Sequence, residues 1–410
     1  MWAVMTMPRN KNANQMTDEA LAELEKRIEK VYRQAFEEMK PVIDDFFKHF
    51  ETMDGKMKAL IGQQRNGKTW TEEDYKQWRL NQIGRGKRLE ALRDKLAKQM
   101  TDAREVANAY VNDATPGIYS LNRNYTAYVI ESVSPNADFI LWDEQTVKRL
   151  IVEAPDVMPY YPEERAVKRG IDLKYGKQQI TASITSSILQ GRSIKAIADD
   201  LQTRIATMNR VSAVRAARTA ATNAQNAGRM DSYKAAADMG IVVKKRWVAN
   251  KDLRTRHDHG EADGQVVAYD KPFIVGGYKM MFPGDDTLGA PGHEVYNCRC
   301  TMVTAQDDEF EAEPHMMRSK DPETGRYEVT KRKTYQEWYE EKRKQQTPEA
   351  WTAYVKAGKN YQKDKREYSQ WQEAIGRKAP KTFAEYQKMK YLNPEKWKEL
   401  KKLLEKGNGK

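Results

Sequence analysis

The two cysteines of this 410-residue chain lie one residue apart, in the segment EVYNCRC at residues 294–300. Three of the five histidines, at positions 257, 259 and 293, belong to the same part of the chain. Thiolate and imidazole are the ligands that zinc prefers, so Cys298, Cys300 and His259 could supply three of its four ligands. The sequence predicts either a structural zinc site at these residues or a cluster of small buried side chains that closes a compact module.

A second chemical interpretation concerns the segment DLRTRHDHGEADG at residues 252–264, which places carboxylates and imidazoles close together. A metal-dependent nuclease or other hydrolase would use a histidine as base and a metal ion to stabilise charge on the phosphate. The spacing matches no nuclease signature, and Asp252, Arg254 and Arg256 could equally form an internal ion-pair network. We therefore predict no enzymatic activity, and keep a hydrolase as the alternative.

The composition is 39% hydrophobic and 32% charged, and the length suggests two or three domains. No stretch approaches the ~18 consecutive apolar residues of a membrane span, so no membrane partner is predicted. The first residues lack the charge and the apolar run of a secretory signal. Two cysteines this close together cannot staple distant segments. We expect a protein made in a reducing cytoplasm.

The hydrophobic period changes along the chain and predicts an α+β fold that is predominantly α-helical. Four regions follow: a helical N-terminal region at 1–150, a second helical region at 151–240, a small α+β module with short strands at 241–305, and a basic, aromatic-rich helical tail at 306–410. The α+β module is too small to be stable without packing on the helices before it.

Within the N-terminal region, apolar residues recur every three or four positions over 17–40, which predicts an amphipathic helix. Thr17 is expected to cap this helix and Pro41 to interrupt it. A second long helix is predicted near the segment TEEDY, where Thr71 and Asp74 resemble a capping box.

The helical pattern breaks down at NDATPGIY (residues 112–119) and EAPDVMPYYPEE (residues 153–164), which we interpret as an internal linker. Two helices are then predicted to meet at Gly191, with Ser193 as the cap of the second. DNA-reading helix–turn–helix motifs share this spacing, but any two short packed helices produce it. An alanine-rich helix follows, whose small residues permit close packing and which ends at Gly240. The segments IVVKKRWVA, GQVVAY, PFIVGG and YKMMF then predict strands.

The tail carries most of the net charge. From His315 to Lys410 there are 25 lysines and arginines against 14 acidic residues, a net +11, whereas the whole chain carries +12. Thirteen of the 39 aromatic residues lie in the same stretch, and the segment beginning at residue 333 is echoed at residue 381. Cations neutralise phosphates and exposed rings stack on bases, which predicts DNA contact by the tail. The residues chosen for this role are Lys331, Arg332, Lys333, Arg343, Lys365, Arg366, Trp338, Trp371 and Trp397. The alternatives are a solvated appendage whose rings pack its own repeats, or a stand-alone DNA-binding protein.

The residues around the cysteines also resemble a known signature, that of phage head morphogenesis proteins similar to protein F of phage Mu. The resemblance covers residues 210–303 and, more loosely, 175–210. The residues that carry it, beside the predicted zinc ligands, include Trp247, Asp252, Arg254, Arg256, Asp263, Gly264, Asn297 and Arg299. The resemblance implies that these residues shape a structural motif.

The same resemblance implies a low-copy structural protein of a tailed-phage head, located in the virion near the portal. Its implied partners are the portal protein, the capsid or scaffold interior and double-stranded DNA, with a role in head assembly, DNA packaging or DNA delivery. Family members often carry an acid after the Arg-Thr pair, where this chain has Ala220 after Thr219, so no role for that acid is carried over. Some relatives bear a toxin or transferase domain at the C-terminus, but this tail has no nucleophile or cofactor signature.

Overall fold

Helices dominate the structure, a computed structural model that describes residues 11–65, 67–134, 136–312, 316–320 and 327–407. The helices are α1 (Ala13–Ala59), α2 (Glu72–Gln82), α3 (Lys87–Val133), α4 (Glu144–Glu153), α5 (Arg169–Leu189), α6 (Ile194–Asp238), α7 (His257–Glu261), α8 (Gly292–Val295), α9 (Ala305–Ala312), α10 (Tyr335–Gln345), α11 (Pro348–Lys359), α12 (Tyr361–Ile375), α13 (Phe383–Leu392) and α14 (Pro394–Gly407). The strands are β1 (Gln64–Arg65), β2 (Lys68–Thr69), β3 (Lys244–Val248), β4 (Val266–Ala268), β5 (Phe273–Val275), β6 (Tyr278–Met280), β7 (Thr301–Thr304), β8 (Met316–Lys320) and β9 (Tyr327–Lys331). The predicted fold class, α+β and predominantly helical, is confirmed.

The first helix is longer than the sequence predicts, and both predictions for its ends are wrong. Helix α1 runs through Pro41, because burial of Met39 and Ile43 on either side outweighs the one backbone hydrogen bond that proline removes. Thr17 lies inside the helix, where its Oγ1 donates to the carbonyl oxygen of Ala13 at 2.7 Å. It also accepts from the Asn122 amide at 2.8 Å, so Thr17 is a buried contact instead of a cap.

The predicted capping box at Thr71 and Asp74 is confirmed at the start of α2. The chain then turns at Gly86, which has a φ of 98°, and α3 begins at Lys87. The segment NDATPGIY, predicted as irregular, is helical because α3 continues through Pro116. The neighbouring Ile118 and Tyr119 are buried, and their packing maintains the helix where local propensity does not. The second linker segment does contain irregular chain, around a 3₁₀ turn at Pro155–Val157.

Helices α5 and α6 meet as predicted. Gly191 adopts a φ of 69°, and the Ser193 hydroxyl accepts from the Ala196 backbone N–H at 3.2 Å. The predicted inner face of α6 is buried: Ile194, Ile197, Leu201 and Ile205. The alanine-rich segment that follows belongs to the same helix, and the chain turns at Gly240, with a φ of 81°.

The chain forms two compact units, each assembled from separate stretches of sequence. One comprises residues 21–113 and 164–217; its core contains apolar residues of α1, α3, α5 and α6. The other comprises the described residues up to Ala20, residues 114–163 and the described residues from Arg218 onward. These units cut across the four regions drawn from the sequence, because α1, α3 and α6 each contribute residues to both.

The second of these units contains a three-stranded antiparallel sheet in the order β4–β3–β7. In its register, Trp247 pairs with Met302 and Arg246 with Val266. Strands β5 and β6 form a separate hairpin, as do β8 and β9. The sequence predicted the first four strands of this region; it did not predict β7, β8 or β9.

The repeated segments of the tail form paired helices. Thr334 caps α10 with a capping box, and Thr382 caps α13 through the Glu385 backbone N–H. In each copy the Pro-Glu step starts a second helix, α11 and α14. Each copy of the repeat is therefore a pair of helices, α10 with α11 and α13 with α14. Across the described residues, no helix has the length and apolar character needed to span a membrane.

Candidate functional site

The site is built on the C-terminal half of α6, which approaches α3 closely at Gly228. A Cβ at Gly228 would lie 2.5 Å from the carbonyl oxygen of Tyr119, so only glycine fits at this crossing. Ala224 and Ala227 on the same helix are fully buried. The alanine-rich composition of this segment therefore allows two helix backbones to pack tightly, as the sequence predicted.

Polar side chains on the same helix bind the backbone of the α+β module. The Thr222 hydroxyl donates to the Cys298 carbonyl oxygen at 2.6 Å. The Asn226 amide donates to the Pro283 and Cys300 carbonyl oxygens at 3.1 and 3.2 Å. These bonds satisfy carbonyl groups of the loop after β6 and of the segment that carries the cysteines, and so help to position both.

Two further side chains of α6 extend this row in both directions. The Thr219 hydroxyl accepts from the Asn297 backbone N–H at 2.9 Å. The buried Arg229 guanidinium donates to the Met302 carbonyl oxygen at 2.6 Å and to the Asn14 side-chain oxygen at 2.7 Å. Positions 219, 222, 226 and 229 are spaced by three and four residues, so they share one face of the helix.

His259, Cys298 and Cys300 come together in the interior, as the sequence predicts for either of its two interpretations. The Nδ1 atom of His259 lies 3.4 Å from the Cys300 sulfur and 3.6 Å from the Cys298 sulfur. The exposed fractions of the three residues are 1–3%. The other ring nitrogen, Nε2, lies 3.0 Å from a carboxylate oxygen of Glu294, which is 3% exposed. The cluster is inaccessible to a large substrate.

The electrostatics of the cluster favour one thiolate. The hydrogen bond from the Cys298 thiol, with the nearby His259, lowers the pKa of Cys300, while the same bond and burial raise the pKa of Cys298. Burial lowers the pKa of His259, but the hydrogen bond and charge of Cys300 outweigh it and the net shift is upward. A thiolate beside an imidazole that a carboxylate orients is a suitable arrangement for holding a divalent metal ion.

The charged residues of the predicted structural motif pair with one another and with the backbone. Arg299 makes a bidentate ion pair with Asp252, with one N–O distance of 2.7 Å. These hydrogen bonds hold the pKa of Asp252 well below its usual range. Asp252 also accepts from the Arg254 backbone N–H at 2.9 Å, and Arg256 donates to the Tyr296 carbonyl oxygen at 2.6 Å. The ion pair of Asp252 is thus with Arg299, and not with Arg254 or Arg256 as in the predicted network.

The remaining motif residues set the shape of the turns around the cluster. The buried Trp247 ring packs edge-on against His259, with ring centroids 5.6 Å apart. Asp263 accepts from the Ala249 backbone N–H at 2.9 Å. Gly264 and Asn297 both adopt left-handed backbone conformations, at φ values of 78° and 58°. Asparagine tolerates this conformation better than most residues, which explains its position before Cys298.

A second group of potential metal ligands lies on the surface of α7. His257 Nδ1 is 3.6 Å from an oxygen of Asp258 and 3.7 Å from one of Glu261. His257 and Glu261 border an open cavity of about 740 Å³ that Lys251 and Arg256 also line. Exposed acidic groups of this kind are common on proteins.

The residues predicted to contact DNA divide into exposed cations and largely buried rings. Lys333, Arg343, Lys365 and Arg366 are exposed, and Arg332 is half-buried with its guanidinium 3.4 Å from the ring centre of Phe310. The Lys331 side chain lies outside the described residues. Trp338 is 5% exposed and donates to Glu131 at 2.5 Å; Trp371 is 8% exposed and stacks on Trp397 at 4.9 Å. These rings pack within the protein, so the prediction of DNA contact now depends on the cations.

The sequence reasoning missed Thr219, Thr222, Asn226, Arg229 and Glu294. Their signal was present: four are polar residues at helical spacing on one face of an otherwise alanine-rich helix. For Glu294 no sequence signal distinguished it from the exposed acids nearby, because its role depends on a tertiary contact with His259.

Comparisons with known proteins agree with the motif. Residues 178–303 match the family model described as Phage Mu protein F like protein. The chain is 25% identical over 346 residues, 82% of its length, to the minor head protein GP7 of Bacillus phage SPP1, of which it covers 99%. It is 30% identical over 168 residues, 41% of its length, to an NAD(+)–arginine ADP-ribosyltransferase of Enterococcus faecalis, of which it spans 32%.

No solved structure matches the chain. The family match covers the end of α5, all of α6 and nearly all of the α+β module. It therefore includes both α6 and the segment with the two cysteines, whose backbone carbonyl groups accept hydrogen bonds from α6. Residues 178–303 are therefore similar to the family of proteins like protein F of phage Mu, and most of the chain is similar to a minor head protein.

Proposed function

We propose that this protein is a minor structural component of a tailed-phage head and has no catalytic role. The observation that supports this best is the similarity to the minor head protein of Bacillus phage SPP1, which extends over 82% of this chain and 99% of that protein. A relationship across nearly the whole relative supports a shared role better than the partial match to the ADP-ribosyltransferase, of which the chain spans 32%.

The chemistry of the motif supports a scaffold. Asp252 and Arg299 neutralise each other, and His259 is buried against a carboxylate and two sulfurs. A general base must reach the proton that it removes, and His259 has no exposed edge from which to do so. The polar residues of the signature therefore serve to hold loops in place.

In this proposal the protein binds the portal and faces the capsid or scaffold interior during assembly, in the cytoplasm of the host. It then remains in the virion and acts in head assembly, DNA packaging or DNA delivery. The module at 241–305 is the docking scaffold, because its loops are held rigidly enough to present one surface.

Co-expression with the portal protein of the same genome tests the proposal. We expect the two proteins to co-purify at low and moderate salt, and a portal protein from an unrelated phage to serve as the negative control. Failure to co-purify with the cognate portal at low salt would contradict portal binding. Separately, absence of the protein from purified virions would contradict a place in the head.

A metal-dependent hydrolase is tested by incubating the full chain with DNA and divalent cations. We expect the wild-type protein not to cleave DNA. Any trace of cleavage should be the same in wild type, in His259→Ala and in the surface variant His257→Ala. Cleavage that disappears in either variant, with folding intact by circular dichroism, would identify an enzyme instead.

The exposed cations of the tail support a second role, contact with packaged DNA. Lys365 and Arg366 lie together on the exposed face of α12. Because α10 packs on Tyr128 and Glu131 of α3, the full chain is the appropriate material. We expect DNA affinity to fall steeply with salt and the double variant Lys365→Gln, Arg366→Gln to reduce the salt slope by about 2. The matched variant Gln362→Ala, Gln370→Ala should leave the slope unchanged, and a wild-type affinity insensitive to salt would contradict phosphate contact.

A further inference from the structure

We propose that His259, Cys298 and Cys300 bind a zinc ion through Nδ1 and the two sulfurs, and that Glu294 positions the imidazole for this role. The site lies inside the second compact unit, where α7, the turn after α8 and the start of β7 meet. The inference is independent of the head-protein function, because it depends only on the geometry of these side chains.

The distances match a coordination sphere. Zinc–nitrogen and zinc–sulfur bonds of about 2.0 and 2.3 Å at a tetrahedral angle place the nitrogen about 3.5 Å from each sulfur. The observed separations of His259 Nδ1 are 3.4 Å to Cys300 and 3.6 Å to Cys298. One ring nitrogen can make a single linear hydrogen bond, so similar distances to two sulfurs are better explained by a shared ion than by two hydrogen bonds.

The imidazole is held in the tautomer that a metal requires. His259 Nε2 lies 3.0 Å from a Glu294 oxygen, so Nε2 carries the proton and donates it to the carboxylate. The lone pair of Nδ1 then faces the two sulfurs. A carboxylate behind a metal-bound histidine is the usual means of fixing ring orientation and raising ligand basicity.

Backbone N–H groups donate to both sulfurs. The Asn250 N–H bonds to the Cys300 sulfur and the Cys300 N–H bonds to the Cys298 sulfur. Backbone donors of this kind stabilise negative charge on a ligating sulfur. Both cysteines are free thiols in the structure.

Zinc is the metal that fits this set. Two thiolates and one imidazole select zinc over the harder cations that prefer oxygen ligands. Among the described residues, no further histidine, cysteine or carboxylate joins the group, so these three side chains would supply three of the four positions of a tetrahedron. The ion would link α7 to the loop whose carbonyl groups bind Thr222 and Asn226. Its role is to close the module.

The test uses the full chain, purified with its thiols reduced, and measures metal content by mass spectrometry and cobalt binding by absorption. We expect about one zinc ion per chain, and a cobalt spectrum with sulfur-to-metal charge transfer and tetrahedral bands. The double variant Cys298→Ser, Cys300→Ser should lose both. His257→Gln, which alters the exposed group on the same helix, should keep both and serves as the matched control.

Wild-type protein that takes up neither zinc nor cobalt overturns the proposal. So does metal content that survives the double cysteine variant, or that is lost in His257→Gln, since the ion would then belong to the exposed group.

If the double variant fails to fold, Glu294→Gln provides an independent measurement. We expect it to lower zinc affinity 10- to 100-fold in competition with a chelator. Unchanged affinity would refute the positioning role of Glu294.

Discussion

The α+β module at 241–305 and the last three helices, α12 to α14, face the same difficulty, since each has few residues from which to build a core. The helices solve it with aromatic rings: Trp371 stacks on Trp397 at 4.9 Å and packs edge-on against Tyr386 at 5.7 Å. The module solves it with directional bonds from α6 to its loop carbonyls. Ring packing tolerates exchange of one large apolar group for another, whereas a hydrogen bond to a chosen carbonyl group determines where the chain passes.

The largest effect is expected for Trp371→Ala, which should destabilise the ring cluster by about 3–5 kcal/mol. Hydrogen exchange should rise throughout α12 to α14 while the module stays protected. Leu403→Ala, at a residue 37% exposed on α14, is the control and should cost less than about 1 kcal/mol. Equal loss of protection in the module would break the comparison, because the two regions would then unfold as one.

Arg229→Met should cost about 3 kcal/mol, since it leaves the Met302 carbonyl oxygen and the Asn14 side chain without their charged donor. In Arg229→Met, hydrogen exchange should rise around β7 and stay unchanged in α12 to α14. The variant Arg366→Met, at an exposed arginine, is the control. A stability equal to that of the control in chemical denaturation would show that directional bonds do not hold the module.

Gly228→Ala is expected to destabilise by about 2 kcal/mol, because the new methyl group would meet the Tyr119 carbonyl oxygen and push α6 away from α3. The same substitution at Gly55, where a Cβ meets nothing within 4 Å, should stabilise α1 by up to about 1 kcal/mol. Thermal denaturation of the two variants, compared with wild type, gives the sign of each change in stability. Two shifts in the same direction would mean that the close helix crossing is not rigid.

The smallest expected effect concerns the free energy of unfolding, whose dependence on pH should differ between the α+β module and the last three helices. Burial lowers the pKa of Lys245, in β3, to about 7 despite the opposing charges of Asp285 and Asp270. An unfolded lysine keeps its proton to about pH 10.4, so between these values the unfolded state binds more protons and the free energy of unfolding rises with pH. We expect a slope of up to about 1 kcal/mol per pH unit between pH 7 and 9, absent in Lys245→Met.

A partly buried lysine of the tail, Lys390, is the control for this measurement. Burial lowers the pKa of Lys390, but its bonds to Asp364 and Glu367 outweigh that and raise it. Lys390 is therefore protonated in both states over the same range, and Lys390→Met should retain the slope of wild type. If the free energy of unfolding of Lys245→Met still rose with pH, the slope would have to come from another titratable group.

The sequence predicted most helices, and the meeting of His259 with the cysteines, because periodicity and ligand chemistry are local properties. It failed at Thr17, Pro41 and Pro116, where buried contacts from distant segments overrule local preference. The tail shows the same limit. Composition indicated exposed rings, but the partner of Trp338 is Glu131, more than 200 residues away in sequence.

The row of polar side chains on α6 has one further consequence. Thr222 and Asn226 engage Cys298 and Cys300 through main-chain oxygens, which every amino acid possesses. These two hydrogen bonds therefore do not depend on which side chains the loop carries. A loop with other side chains at positions 298 and 300 could still bond to α6 at the same two main-chain positions, whatever the cysteines contribute in addition.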